Sequence, residues 1–266
     1  MPSKRLVDPD TIHIGAVRFD AISRGQALEA MAGFVEEGGP HLVSASNVDC
    51  VVQCQRDFTY RDIINRSSLS LADGMGIIYA SHLIGCPLPE NVCGRLILVD
   101  FCKMAAERGY RIFLLGGGPG IAAAAANALI AMFPTLQVAG TFAPPFGFEL
   151  SSDANEECVQ AVRAAAPHAL FVAFGAPKQE KWLSQNLPRV GVPLAMGVGY
   201  SFDLLAGKFP LPPSWMTSVG LEWAFRLCHD PIRLAKRYLW RDISFIPILL
   251  SEMWNRRSTK LSSRHA

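Results

Sequence analysis

The chain has 266 residues, half of them hydrophobic and 18% charged, which is enough apolar material for a sizeable core and excludes a disordered chain. No stretch is long enough to cross a bilayer, and the basic start MPSKRLVDPDTIHIGAV lacks the continuous apolar run of a secretion signal. The net charge of +2 is uneven: residues 1–207 hold 15 Lys/Arg against 19 Asp/Glu and residues 208–266 hold 10 against 4, so a slightly acidic body precedes a basic tail suited to an anionic partner.

In chain order, DPD at 8–10 is the one DxD, the spacing by which many sugar-nucleotide enzymes hold a divalent cation. Its proline and its place ahead of the first strand make it a turn, and no metal site is expected. HLVSASN (41–47) is a short apolar strand ending in Asn47, and a helix is predicted over 48–65. SLSLADG (68–74) repeats the pattern, ending in Asp73 and Gly74 before a helix at 75–85. A lone Asp at a strand-to-helix corner either caps the helix or stands as a base at the mouth of a crevice, and the residue alone favours the cap. A helix over 97–109 leads to RIFLLGG (111–117), and GGGPG at 116–120 opens an alanine-rich helix at 119–133. Gly116 and Gly117 would let backbone N–H groups and the helix dipole meet a phosphate. Ile121 takes the third-glycine position of GxGxxG, and GxxxxGK[ST] is absent, so dinucleotide binding is poorly supported and a P-loop is excluded.

A strand at 136–142, a Pro/Gly/Ser-rich loop at 143–152 and a helix at 153–166 follow. ALFVAFG (169–175) runs into GAPKQEKW, where Lys178, Gln179 and Glu180 open a helix at 177–187. Pro and Glu suit a first helical turn; Lys has the wrong sign there and hints at an anionic ligand. PLAMGVG (193–199) then leads to Asp203, just past its strand. Strands apolar on both faces, alternating with helices, predict an α/β fold with a Rossmann-like parallel sheet and helices on both faces. Several strand ends carry glycine plus a polar residue, and in such a sheet they share the edge where ligands bind. That coincidence moves Asp73 from cap to site.

KFPLPPSW (208–215) ends the α/β body, giving a core at 1–207 and a helical appendage at 208–266. Arg226, Arg233, Arg237 and Arg241 share one stripe if a helix runs unbroken, and Pro247 should kink or end it. With Trp223, Phe225, Trp240 and Ile246 nearby, the segment suits an anionic membrane surface or a helix packed on the body. Seven cysteines form no CxxC pair and fall in apolar segments, which reads as buried thiols in a reducing compartment.

Together LADGMGI (71–77), LPENVCG (88–94), RIFLLGGGPG (111–120), FGAPKQEKW (174–182), GVGYSFDLLAG (197–207) and LEWAFRLCHDPIRLAKRYL (221–239) resemble the WecG/TagA/CpsF family of glycosyltransferases. The resemblance runs in order from about residue 12 to about 240. It implies inverting, metal-independent transfer of a hexose from a UDP-sugar donor to a polyprenyl-diphosphate-linked sugar, with no cofactor. It places the enzyme peripherally on the cytoplasmic face of a bacterial inner membrane, in exopolysaccharide or cell-wall polymer synthesis. The appendage would meet the anionic membrane surface and close over the site. A homo-oligomer is left open, and nucleic acid is not an expected partner.

By the same resemblance Asp73 is the general base that deprotonates the acceptor hydroxyl, with Gly74 leaving room beside it. Asn47 contacts substrate, and Lys178, Gln179, Glu180 and Asp203 lie on the nucleotide side. Arg233 and Arg237 stabilise the leaving diphosphate, supported by Arg226 and Lys236. The chain departs from the family pattern at Ala45, where many members have Thr, and at Cys93-Gly94-Arg95-Leu96, where many have Thr-Gly-x-Asp. These departures favour glucose, as in xanthan- and acetan-type members, over N-acetylmannosamine or its uronic acid. Two other classes compete. An NAD(P)-dependent oxidoreductase would need the third glycine and an acid after the next strand, which ends GTFAPP. A non-catalytic membrane-associated protein would explain the tail but not the polar strand ends.

Overall fold

Alternate residues of the central strands go to opposite sides of the sheet, and both sides are apolar. In β5 (Arg111–Gly116), Ile112 and Leu114 join one core cluster while Phe113 and Leu115 join another. In β7 (Ala169–Ala173), Ala169 and Phe171 separate in the same way from Leu170 and Val172. A strand whose two faces are both buried needs helices on each side. The first face is covered by α1 (Arg24–Glu37), α5 (Gly94–Arg108) and α6 (Ile121–Met132), the second by α7 (Ser152–Ala165) and α8 (Lys178–Val190).

The computed structural model describes residues 10–211, 213, 216, 221–229 and 242–262. With β3 (His41–Ser46), β4 (Leu69–Ala72), β6 (Gln137–Phe142) and β8 (Leu194–Gly197), the strands form a six-stranded parallel sheet in the order β4-β3-β8-β7-β5-β6. The expected α/β architecture with a parallel sheet is therefore the one observed.

Some boundaries differ from expectation. The stretch 48–65 is two helices, α2 (Val48–Cys54) and α3 (Phe58–Arg66), because Asp57 restarts the helix by accepting a hydrogen bond from Tyr60 N at 2.9 Å. A hairpin of β1 (Thr11–Ile14) and β2 (Val17–Asp20) precedes α1, which starts with a capping box between Ser23 and Gln26. The hairpin lies against β4 and blunts that edge. Asp20 accepts from Ser70 N at 2.8 Å, and Ser70 Oγ donates to the Arg18 carbonyl at 2.6 Å.

Beyond residue 207, helices run over Glu222–His229 and Phe245–Ser262. Pro247 sits in the first turn of the second one, where its missing N–H would have had no intrahelical partner, and the stretch 230–241 of the helix it was expected to kink or end lies outside the described residues. Phe245, Ile248, Leu249 and Met253 pack on a cluster formed by the hairpin, α2, α3 and α4 (Met75–Leu83). The opposite stripe exposes Ile246, Leu250 and Trp254. No described helix is long and apolar enough to cross a membrane. The thiols correct one expectation: Cys228 is exposed and Cys86 half-buried, while the other five are buried.

Candidate active site

A parallel sheet brings the carboxyl ends of its strands to one edge. Here that edge carries, in spatial order, Asp73 after β4, Asn47 after β3, Gly199 and Asp203 after β8, Gly175 and Lys178 after β7, and Gly116 and Gly117 around the end of β5. Neighbouring strands lie about 4.8 Å apart, so the steps from β4 to β5 separate Asp73 from the glycine turn by roughly 19 Å. The edge is long enough for an elongated ligand.

Asp73 is held by its backbone. Its N–H donates to the Ser46 carbonyl at 3.0 Å, extending the β3–β4 ladder by one residue. The N-cap of α4 is Gly74, the residue after Asp73, and it has no side chain to cap with. Gly74 N donates instead to Asn91 Oδ1 at 2.7 Å, and Val92 N donates to the Ala72 carbonyl at 2.9 Å. These two bonds draw the 88–93 segment against the end of β4 and bring the start of α5 to Asp73. A Cβ on Gly94 would lie 3.5 Å from Ala45 Cβ, 3.7 Å from Met196 Cε and 3.8 Å from Asp73 Oδ2. Both departures noted in the sequence, at Ala45 and Cys93–Leu96, thus border the same carboxylate. Arg95 follows, and its buried Nε has no hydrogen-bond partner among the described residues. Asn91, Gly94 and Met196 were not singled out as site residues from sequence; LPENVCG carried the signal for the first two.

Asn47 is half-buried next to Asp73. It caps α2, its Oδ1 accepting from Cys50 N at 3.2 Å. The glycine turn after β5 has a packing reason of its own: a Cβ on Gly116 would lie 2.8 Å from the Ala173 carbonyl oxygen, and its φ is 107°. Gly117 N donates to that same carbonyl at 2.9 Å. The N-cap residues of α4, α5, α6 and α8 make no side-chain capping bond, and of the four only α8 has an acidic residue, Glu180, in its first turn.

The β7–α8 turn contains a cis Ala176–Pro177 peptide and delivers three adjacent residues to three different places. Lys178 is half-buried, ion-paired with Glu149 of the 143–151 loop, and lies 5.6 Å from the Phe146 ring centroid. The lysine's hydrogen bond holds the Glu149 carboxyl below its ordinary range. Gln179 is buried; its Oε1 accepts from Gly175 N at 3.1 Å and from Gly199 N at 3.0 Å. Gln179 Nε2 donates to Glu180 Oε1 at 2.7 Å. Glu180 is 3% exposed, and burial pushes its carboxyl up to about 7, partly opposed by the bond from Gln179. Asp203, at the start of α9 (Ser201–Leu205), accepts from Lys208 Nζ at 3.0 Å. Asp73, Asn47 and Gly74 are therefore grouped at the β4–β3 end of the edge, Gln179 and Glu180 form a buried pair midway along it at β8 and β7, and Lys178 turns toward the 143–151 loop. Arg226 lies in the helix Glu222–His229, while Arg233, Lys236 and Arg237 lie outside the described residues.

Curated relatives align over most of their length. An N-acetylglucosaminyldiphosphoundecaprenol N-acetyl-β-D-mannosaminyltransferase of Bacillus subtilis (strain 168) is 27% identical over 206 residues, 77% of this chain and 76% of the relative. The protein of the same name from Staphylococcus aureus (strain MW2) is 27% identical over 227 residues, covering 85% and 87% of the two chains. Residues 12–259 match the family described as Glycosyl transferase WecG/TagA/CpsF family, and the chain belongs to it.

Proposed function

We propose that the protein transfers N-acetylmannosamine from a UDP-linked donor to the sugar of a polyprenyl-diphosphate-linked acceptor, with Asp73 as the general base. The observation that carries the chemistry is the setting of Asp73: a half-buried carboxylate at the sheet edge, with the small residues Ala45 and Gly94 beside it. In the reaction an acceptor hydroxyl oxygen attacks the anomeric carbon of the donor from the face opposite the diphosphate. Asp73 takes the hydroxyl proton as the new C–O bond forms, and the bond to UDP breaks with its electron pair leaving on the diphosphate. A β linkage, as in the relatives' names, is the product of such an inversion on an α-linked donor.

The starts of α5 and α6, with no side-chain cap bond and no acidic residue in the first turn, favour an anionic donor along this edge. Arg226, Arg233, Lys236 and Arg237 remain proposed partners of the leaving diphosphate, within a basic segment that follows a catalytic core at 1–207. The exposed Ile246, Leu250 and Trp254 stripe, in a helix that also holds Arg256 and Arg257, supports peripheral contact with an anionic membrane. A second reading, glucose as the transferred sugar, draws on Ala45 and Cys93–Leu96, which lie where the donor sugar would meet Asp73.

The test is transfer from radiolabelled UDP-N-acetylmannosamine, its uronic acid and UDP-glucose to N-acetylglucosaminyl-diphosphoundecaprenol by the purified full-length protein. Preferred use of UDP-N-acetylmannosamine is expected. Preferred use of UDP-glucose would install the second reading, and no transfer from any donor would end both.

A further inference from the structure

We propose that Glu180 is a positioning residue: it fixes the Gln179 amide, which in turn holds the β7–α8 and β8–α9 turns at the separation the donor needs. The inference rests on the glycosyl-transfer reading and gives Glu180 a role other than substrate contact. At 3% exposure Glu180 cannot be reached by a ligand without rearrangement, and Gln179 is only 5% exposed.

The hydrogen bonds define a one-way chain. An amide has an accepting end and a donating end, and both Gly175 and Gly199 present N–H groups to Gln179. The oxygen must therefore face the two glycines, and the amide nitrogen needs an acceptor behind it. Glu180 Oε1 is that acceptor, at 2.7 Å. If the amide were reversed, two N–H donors would face an NH2 group in a buried site. Gly197, the last residue of β8, makes room for the arrangement. A Cβ there would lie 2.5 Å from Gln179 Nε2 and 2.7 Å from its Cδ.

Glu180 is a costly choice for mere packing. Its second oxygen, Oε2, is buried without a hydrogen-bond partner among the described residues. Among the described residues, Cys50 and Cys54 of α2 and Tyr60 of α3 lie within its electrostatic reach. A leucine would fill the space without placing a buried carboxyl among them. What a leucine cannot do is accept from Gln179. The two turns joined by Gln179 end adjacent strands, at the donor end of the edge, so their separation sets the width of the donor cradle.

The experiment compares full-length wild type, Glu180→Leu and Glu180→Gln, measuring UDP affinity by calorimetry and the donor KM and kcat by transfer assay. Glu180→Leu is expected to weaken UDP binding and raise donor KM about tenfold, the size of one buried hydrogen bond, with a much smaller change in kcat. Glu180→Gln keeps an accepting carbonyl and is expected to restore affinity to within about threefold of wild type. Should Glu180→Leu fail to fold, Gly197→Ala pushes on Gln179 from the other side and is expected to raise donor KM in the same way. Wild-type affinity in Glu180→Leu, or a loss in Glu180→Gln as large as in Glu180→Leu, overturns the positioning role while leaving glycosyl transfer intact. Failure of the wild type itself to bind UDP overturns the reading on which the role rests.

Discussion

At the β4–β3 end of the edge Asp73 is bordered by Ala45, Gly94 and Gly74, whereas at β8 and β7 Gln179 and Glu180 are buried and tied to each other and to two backbone N–H groups. The supports differ as well. The Asp73 end rests on a cluster assembled from the N-terminal hairpin, α2, α3, α4 and the helix Phe245–Ser262, segments more than two hundred residues apart in the chain. The Gln179–Glu180 pair is fixed chiefly by bonds among residues 175–199, with Glu180 facing α2 and α3 of that same cluster. On the proposed transfer, the Asp73 region needs space for two sugars, while the proposed donor cradle gains from rigidity, because ordering it in advance removes an entropic cost of binding.

The comparison breaks most sharply at Asp73. Asp73→Asn keeps the shape but loses the basic oxygen, so turnover is expected to fall about 10²- to 10⁴-fold, read in the transfer assay under saturating donor. Retention of more than a tenth of the activity would remove Asp73 from the chemistry.

Truncation before Asp242 tests the distant support. It uncovers the surface on which Phe245, Ile248, Leu249 and Met253 pack, a loss on the order of 5 kcal/mol. Urea unfolding of the shortened chain should show a lower midpoint; an unchanged midpoint would mean that the body does not depend on this helix.

Acidity sharpens the other end. Glu180 has its folded-state pKa raised to about 7 by burial, above an ordinary 4.5, so the folded state holds its proton more tightly. Its stability contribution is fully present below about 4.5 and is lost as pH rises toward 7, by about 3 kcal/mol in total. Glu180→Gln cannot ionise, so its stability relative to wild type should rise between pH 4.5 and pH 8 in urea unfolding. Parallel pH profiles for the two proteins would show that the carboxyl is not buried as described.

Gly94→Ala carries the smallest stability effect. The added methyl meets Ala45, Met196 and Asp73 at ordinary contact distances, so unfolding free energy should change by less than about 0.5 kcal/mol. Turnover should nonetheless drop, since the methyl occupies space beside the carboxylate; full activity would place the sugars elsewhere.

The sheet was legible because its strands are short apolar runs ended by Gly, Asn or Asp, and burial on both faces leaves little else for HLVSAS or LFVA to be. Asp73 was legible for the same reason, a polar residue at the end of such a run. The hairpin at residues 11–20 was missed although TIHI-GA-VRFD alternates around a two-residue turn, and α1 was missed despite the Ser23–Gln26 capping box. VRFD does end in Asp20, but both hairpin strands alternate in sequence and are not the continuous apolar runs that mark the central sheet. That Gln179 and Glu180 turn inward could not be read from KQE: a helix N-terminus faces both ligand and sheet, and which way each side chain goes depends on α2, α3 and Gly199, distant in sequence. Asn91 and Gly94 acquire meaning only when backbone bonds from Gly74 and Val92 bring their segment to β4.

The division between a reacting end and a holding end is tested most directly by titrating UDP into Asp73→Asn and Gln179→Ala in the same calorimeter. Asp73→Asn is expected to bind UDP as wild type does while transferring almost nothing. Gln179→Ala leaves Gly175 N and Gly199 N without their acceptor and is expected to bind UDP at least about tenfold more weakly. The opposite pattern, weak UDP binding in Asp73→Asn and wild-type binding in Gln179→Ala, would contradict the assignment of the two ends.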